Sequence, residues 1–220
     1  MNTPILNQTT TTQEGALETN KVLRNTYSLL SMTLLFSAVT AGISMALNLP
    51  HPGLILTLVG YFGLLFATAK FRNSGLGLVF VFALTGFMGY TLGPILNAYM
   101  SLANGSQIVM TAMAGTGIIF LGLSGYALTS RKDFSYMGSF LMIGILVGFL
   151  AGLGAVFFGL SLAVSAMFVL LMSGLILYET SNIINGGETN YIMATVTLYV
   201  AIFNLFTSLL HLLGAMNGQE

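Results

Sequence analysis

Few side chains in this sequence could do chemistry, and Glu179 is the first of them. It closes the apolar run Leu175-Ile176-Leu177-Tyr178 and precedes a turn at Gly186–Gly187. The other five acidic residues lie in the polar head, in apparent loops or at the extreme C-terminus. If the helix continues through Ile184 and stops at Asn185-Gly186, the carboxylate lies inside a membrane span. It is then about 9 Å from the helix end, at 1.5 Å per residue. An ionisable group at that depth is expensive and marks a functional site by default. A helix ending near residue 180 would instead leave Glu179 as an interfacial carboxylate that snorkels to the boundary.

The remaining reactive groups do not assemble into a catalytic unit. Gly122-Leu123-Ser124-Gly125 and His211-Leu212-Leu213-Gly214 resemble the parts of an intramembrane serine protease. That chemistry needs Ser and His within hydrogen-bond reach. The spans that carry them run in opposite directions, which places Ser124 and His211 roughly 20 Å apart in depth at 1.5 Å rise per residue. Ser124 is therefore expected to be a small packing residue. The two histidines, His51 and His211, stand without neighbouring acids, so neither suggests a metal site. Cysteine is absent, which excludes disulfides, thiolate metal centres and cysteine nucleophiles. No glycine stretch has the Gly-Lys-Ser/Thr context of a phosphate loop. The sequence reads as a non-enzyme with no cofactor.

The elements that must position Glu179 follow from composition. Of the 220 residues, 55% are hydrophobic and only 5% charged, against roughly 25% charged in a soluble domain. No water-facing surface can be covered with so few charges. Net charge is zero, so nucleic acid is not an expected partner. A membrane span needs about 20 mostly apolar residues. Seven stretches qualify, at 26–48, 52–69, 76–97, 107–129, 136–158, 161–184 and 191–214. Short turn sequences punctuate them, such as Asn104-Gly105-Ser106, except between the fifth and sixth, where only Gly159 and Ser161 interrupt. Residues 1–20 are polar and Thr-rich, without the apolar core of a secretory signal. They are expected to form a disordered tail, with a membrane domain over 21–220.

All six basic residues fall on one side of this seven-span arrangement. Lys21 and Arg24 precede span one, Lys70 and Arg72 separate spans two and three, and Arg131 and Lys132 separate four and five. The positive-inside rule places that side in the cytoplasm, with the N-terminus inside, the C-terminus in the periplasm and Glu179 near the cytoplasmic face. Arg131-Lys132-Asp133 reads as a topology anchor with a local charge pair. Gly144, Gly148 and Gly152 in span five, and Gly86, Gly89 and Gly93 in span three, are spaced for close helix packing. Pro94 is expected to kink span three.

Two separated motifs then resemble a known family. Gly89-Tyr90-Thr91-Leu92-Gly93-Pro94-Ile95-Leu96, followed by Ala112-x-x-x-Thr116-Gly117-Ile118-Ile119-Phe120, is similar to the signature of the Bax inhibitor family, the transmembrane Bax inhibitor motif proteins. Gly93, Pro94, Leu96 and Thr116 carry that signature, and Gly117 replaces its usual Ala. Tyr178-Glu179 and Leu198-Tyr199-x-x-x-x-Asn204-Leu205-Phe206 resemble the family's C-terminal half. Lys21-Val22-Leu23-Arg24-Asn25-Thr26-Tyr27 and Gly53–Gly60 resemble the bacterial YccA type.

The resemblance implies an all-α bundle of seven transmembrane helices with the last helix central, in the bacterial inner membrane. It implies two readings of function. In the first, the chain binds and restrains a membrane-anchored FtsH-type AAA+ protease and its associated complex, with residues 1–20 as a cytosolic handle. In the second, it is a pH-sensitive calcium or cation leak with Glu179 in the path. Leaks of this family use a second carboxylate, whose position falls on Ala201 here, so a shared-proton gate lacks its partner. Candidate hydrogen-bond partners for Glu179 are Asn204, Tyr199 and Thr197 on span seven. Lys70 and Arg72 are candidate latch cations. Calcium prefers six to eight oxygens, so only a weak, transient calcium contact is expected.

Overall fold

A computed structural model describes the backbone of residues 4–158 and 161–217 and the side chains of residues 17–154 and 161–217. Seven helices among the described residues are long and apolar enough to cross a membrane. They are α1 (Pro4–Ala46), α2 (Leu54–Phe71), α3 (Gly75–Met100), α4 (Gly105–Ser130), α5 (Gly138–Phe158), α6 (Ser161–Ile184) and α7 (Tyr191–Asn217). A single 3-10 turn, Ser135–Met137, leads into α5. The seven expected spans each meet one helix, with ends displaced by a few residues except at the start of α1, which lies well before residue 26. Gly159 and Leu160, at the expected junction of spans five and six, lie outside the described residues.

One expectation departs from the structure. Residues 1–20 read as a disordered tail, yet the backbone is helical from Pro4 onward. Extending a formed helix adds a hydrogen bond per residue fixed and skips the unfavourable nucleation step. The apolar part of α1, Leu17–Ala46, supplies that nucleus.

Three glycines of α3 shape its seam with α1. A Cβ on Gly86 would strike the Phe36 ring, one on Gly89 would strike the Ser37 carbonyl and Thr40 Oγ1, and one on Gly93 would strike Ser44. Bare backbone at these three positions lets the two helices close together, which is the main source of helix association where lipid is as apolar as leucine. Pro94 fits the same seam. A proline leaves the carbonyl four residues earlier without its helical donor, and here that carbonyl, Tyr90 O, accepts from Ser44 Oγ at 3.0 Å. The helix runs unbroken through the proline. The α5–α6 seam uses the same device, with Gly144 against Leu171 and Gly148 against Met167 and Phe168.

Helix α7 packs against α1, α2, α3, α4 and α6, and carries the largest buried share of the seven spans. Leu198, Ala201 and Leu205 on it are fully buried. Helix α5 packs on α6 and its own 3-10 turn, and reaches α2 through the edge-to-face pair of Phe149 and Phe62. Two cavities flank α7. One of about 400 Å³ lies between α1 and α4, and one of about 540 Å³ lies between α2 and α5. Phe203 lines both.

Candidate functional site

Helix α6 ends as a polar knot. It continues through Ile184, and Gly186 takes φ 76° to turn the chain. Glu179 therefore stands inside the helix and is only 4% exposed, as a buried rather than an interfacial carboxylate. Thr180 and Ser181 beside it are fully buried. Thr180 Oγ1 shares hydrogen bonds with Tyr27 on α1 at 3.2 Å and Ser124 on α4 at 3.3 Å. Ser181 Oγ donates to the Lys132 carbonyl at 2.9 Å and accepts from the Phe134 N–H at 3.0 Å. The Asn182 carbonyl accepts the Gly187 N–H at 2.8 Å. Three consecutive residues, Thr180 to Asn182, thus join α1, α4, the α4–α5 loop and the α6–α7 turn.

Asn190 completes this end of the bundle. Its Oδ1 accepts the Ile192 and Met193 N–H groups, each at 3.1 Å, and so caps α7. Its Nδ2 donates to the Arg72 carbonyl at 3.1 Å and to Asn73 Oδ1 at 2.8 Å, which ties in the α2–α3 loop. In the α4–α5 loop the Ser135 N–H donates to Asp133 at 2.8 Å. That bond, with a second from the Ser135 hydroxyl, holds the exposed Asp133 carboxyl below its ordinary range.

The residues singled out from the sequence are dispersed. Tyr199, 1% exposed, sits deeper in α7, where Ser37 Oγ lies at 2.6 Å and the Thr85 carbonyl at 3.2 Å. It ties α7 to α1 and α3 rather than to Glu179. Asn204 Nδ2 donates to the Val200 carbonyl of its own helix at 2.8 Å, and the residue lines the cavity between α2 and α5. Lys70 Nζ lies 5.8 Å from the centroid of the Phe71 ring. The backbones of α2 and α6 do not approach closely, and neither Lys70 nor Arg72 is brought against Glu179. Ala201 is fully buried in α7. Gly93 and Pro94 serve the α1–α3 seam, whereas Leu96 and Thr116 line the cavity between α1 and α4.

Ser124 and His211 are not brought together. Ser124 belongs to the polar knot, which is more than the packing role expected of it, and His211 Nδ1 lies 2.8 Å from Ser165 Oγ on α6. Among the described residues, no three His, Asp or Glu side chains converge as a metal site. Sequence reasoning passed over Tyr27, Thr180, Ser181, Asn182 and Asn190. An Asn just before an apolar run is a helix-start signal and could have found Asn190. No local signal marks the long-range partners of Thr180 and Ser181.

Seven apolar helices, a glycine-lined α1–α3 seam and a buried carboxylate at the end of α6 define a polytopic membrane protein with a polar closure at one end. Residues 19–218 match the family described as Inhibitor of apoptosis-promoting Bax1, and the chain belongs to that Bax inhibitor family. It is 57% identical over 201 residues to the Modulator of FtsH protease YccA of Escherichia coli strain K12, covering 90% of this chain and 91% of that one. It is 53% identical over 206 residues to an uncharacterised protein of Pseudomonas aeruginosa, covering 92% and 93% of the two chains. An uncharacterised membrane protein of Vibrio cholerae is 47% identical over the full length of both. The chain is a multi-pass protein of the inner membrane.

Proposed function

We propose that this protein binds and restrains a membrane-anchored protease of the FtsH type. The observation that carries the reading is the 57% identity, over nine-tenths of both chains, to a protein named as a modulator of that protease. In this reading the N-terminus lies in the cytoplasm and the C-terminus in the periplasm, which the placement of all six basic residues on one side supports. The hydrogen bonds at the α6–α7 end fit this orientation, because they gather Tyr27, at the start of the first expected span, with the α2–α3 loop and the α4–α5 loop there. The segment at residues 1–20 is the handle that the protease engages, and the last helix is the hub on which the other helices are held.

The test is co-purification of the full chain with the protease, together with the rate at which the protease degrades a membrane substrate. The full chain is expected to co-purify and to slow degradation. Deletion of residues 2–20 is expected to abolish both effects while leaving the membrane domain folded. Equal inhibition by the full and shortened chains would refute the handle. Failure of the full chain to bind would refute the partner.

The burial of Glu179 favours a second reading, a pH-sensitive cation leak. Calcium flux into liposomes at pH 6 and pH 8, with wild type beside Glu179→Gln, separates the two. Flux abolished by the substitution would establish the leak. No flux above empty liposomes would leave protease restraint as the function.

A further inference from the structure

The end of the bundle where α6 turns into α7 holds an open pocket between α1, α4 and that turn. Its lining changes character with depth. Leu128 and Ile184 stand in the last turns of α4 and α6, and Leu23 stands on α1 one turn before Tyr27. Arg131 and Asn185 follow one residue beyond those two helices, and Asn20 is a further turn out along α1. Tyr27 closes the inner end. Its ring stands against Phe120 of α4, with centroids 6.1 Å apart, and its hydroxyl lies 3.2 Å from Thr180 Oγ1 of α6. The pocket is thus apolar toward the hydrocarbon and polar toward the water.

The charge in it is of one sign. Arg131 is its cation, and among the described residues no acidic side chain lines it. Arg24 follows Asn20 by four residues and precedes Tyr27 by three, so it shares their face of α1 and stands exposed beside the pocket. The nearby acids are engaged or turned elsewhere. Asp133 accepts the Ser135 N–H, and Glu188 accepts the Asn190 N–H. Glu18 precedes Asn20 by two residues, which turns it to the far side of the helix. Arg131 also takes φ 50°, a left-handed conformation that glycine adopts freely and other residues seldom do. A guanidinium is therefore held where the backbone alone would be better served by glycine. Asn185 adds an acceptor. Its Nδ2 donates to the Ser181 carbonyl at 3.0 Å and to Ser181 Oγ at 3.1 Å, which leaves Oδ1 for a donor that a ligand brings.

Cations set beyond an apolar base match the phosphodiester head of a membrane lipid, whose acyl chains continue into the bilayer. Basic pockets between membrane helices recognise anionic head groups in this way, and the arginine fork suits two phosphate oxygens at once. We propose that the pocket between α1, α4 and the α6–α7 turn binds the head group of one anionic phospholipid. Arg131 holds the phosphate, Arg24 adds attraction from the rim, and Asn185 Oδ1 accepts a hydroxyl of the head group. An acidic protein segment would meet the same arginines but has no use for the apolar base of Leu23, Leu128 and Ile184.

The test is native mass spectrometry of the full chain in detergent micelles, titrated with phosphatidylglycerol and, as the neutral comparison, phosphatidylcholine. One phosphatidylglycerol is expected to bind ahead of any further lipid and in preference to phosphatidylcholine. Arg131→Gly is the discriminating variant, because glycine takes φ 50° without strain and the fold is kept. It is expected to weaken the first site about tenfold, the worth of one charge-assisted hydrogen bond. Arg24→Gln is expected to weaken it about fivefold. Arg72→Gln, in the α2–α3 loop and outside the pocket, is expected to leave it unchanged. Equal binding of the two lipids by the wild type would overturn the proposal, and that measurement depends on no variant. So would full-strength binding by Arg131→Gly, or an equal loss in Arg72→Gln, which would make diffuse surface charge the cause. Displacement of the lipid by glycerol phosphate at equal concentration would overturn it in favour of a soluble phosphate ester. Displacement by the protease would overturn it in favour of an acidic protein segment.

Discussion

Tyr199 offers the sharpest quantitative test of how the bundle is held. Its phenol has one proton to give. The Thr85 carbonyl, at 3.2 Å, can only accept, so Tyr199 donates there and Ser37 Oγ, at 2.6 Å, donates to the phenol oxygen. One hydroxyl therefore links α7 to both α3 and α1, in a place where Tyr199 is 1% and Ser37 6% exposed. A hydrogen bond between membrane helices is worth about 0.6 kcal/mol on average. Tyr199→Phe removes two and is expected to destabilise the protein by about 1.2 kcal/mol. Ser37→Ala removes one, for about 0.6 kcal/mol. The double variant should lose about 1.2 kcal/mol rather than about 1.8, because the shared bond can be lost only once. Reversible unfolding in mixed micelles, with the four proteins as a double-mutant cycle, measures the coupling. Strict additivity of the two single variants would refute the link between Ser37 and Tyr199. A Tyr199→Phe variant as stable as the wild type would refute the whole junction.

Other substitutions probe separate parts of the structure. Ser44→Ala bares the Tyr90 carbonyl and is expected to destabilise by about 0.6 kcal/mol, and the loss should shrink in a Pro94→Ala background, where the helix supplies its own donor; equilibrium unfolding checks both. Gly89→Ala forces a methyl group against the Ser37 carbonyl and is expected to lower stability by about 1–3 kcal/mol, whereas Gly117→Ala, with open space around it, should be neutral or stabilising in the same assay. Asn190→Ala removes the cap of α7 and is expected to cost about 1 kcal/mol, with faster amide exchange at Ile192, Met193 and the α2–α3 loop. The Asp133 carboxyl is held below its ordinary 3.8 by its bonds to Ser135. Its stabilising contribution is therefore full above the unfolded-state value and is lost as pH falls through the lower folded-state value. Asp133→Asn should remove that acid dependence from the unfolding curve.

The spans were legible because each needs a long apolar run and the turns between them carry their own residues. The end of α6 was read correctly from Asn185-Gly186, since a glycine at positive φ is a local requirement of that turn. The spacing of Gly86, Gly89 and Gly93 announced close packing, but the helix that answers it, α1, could not be read from α3 alone. The same limit applies to Tyr199 and Glu179. Both are buried polar groups, but whether they meet depends on depth and rotation of helices, which spacing within one span does not determine. Lys70, at the end of α2, and Arg72, just beyond it, share an end of the bundle with Glu179, but the α2 backbone does not approach α6. Proximity in depth was legible there, and lateral neighbourhood was not. The helical backbone at residues 4–20 was missed because composition weighs a segment by itself and ignores the helix already formed beside it.

Phe203 has a position that reaches beyond packing. It is the one residue whose side lines both cavities, about 400 Å³ toward α1 and α4 and about 540 Å³ toward α2 and α5. One phenyl ring on the central helix thus borders both spaces, each lined mainly by apolar side chains. Truncating it is expected to enlarge both at once, so a single substitution on α7 would loosen the packing on two opposite flanks of the hub.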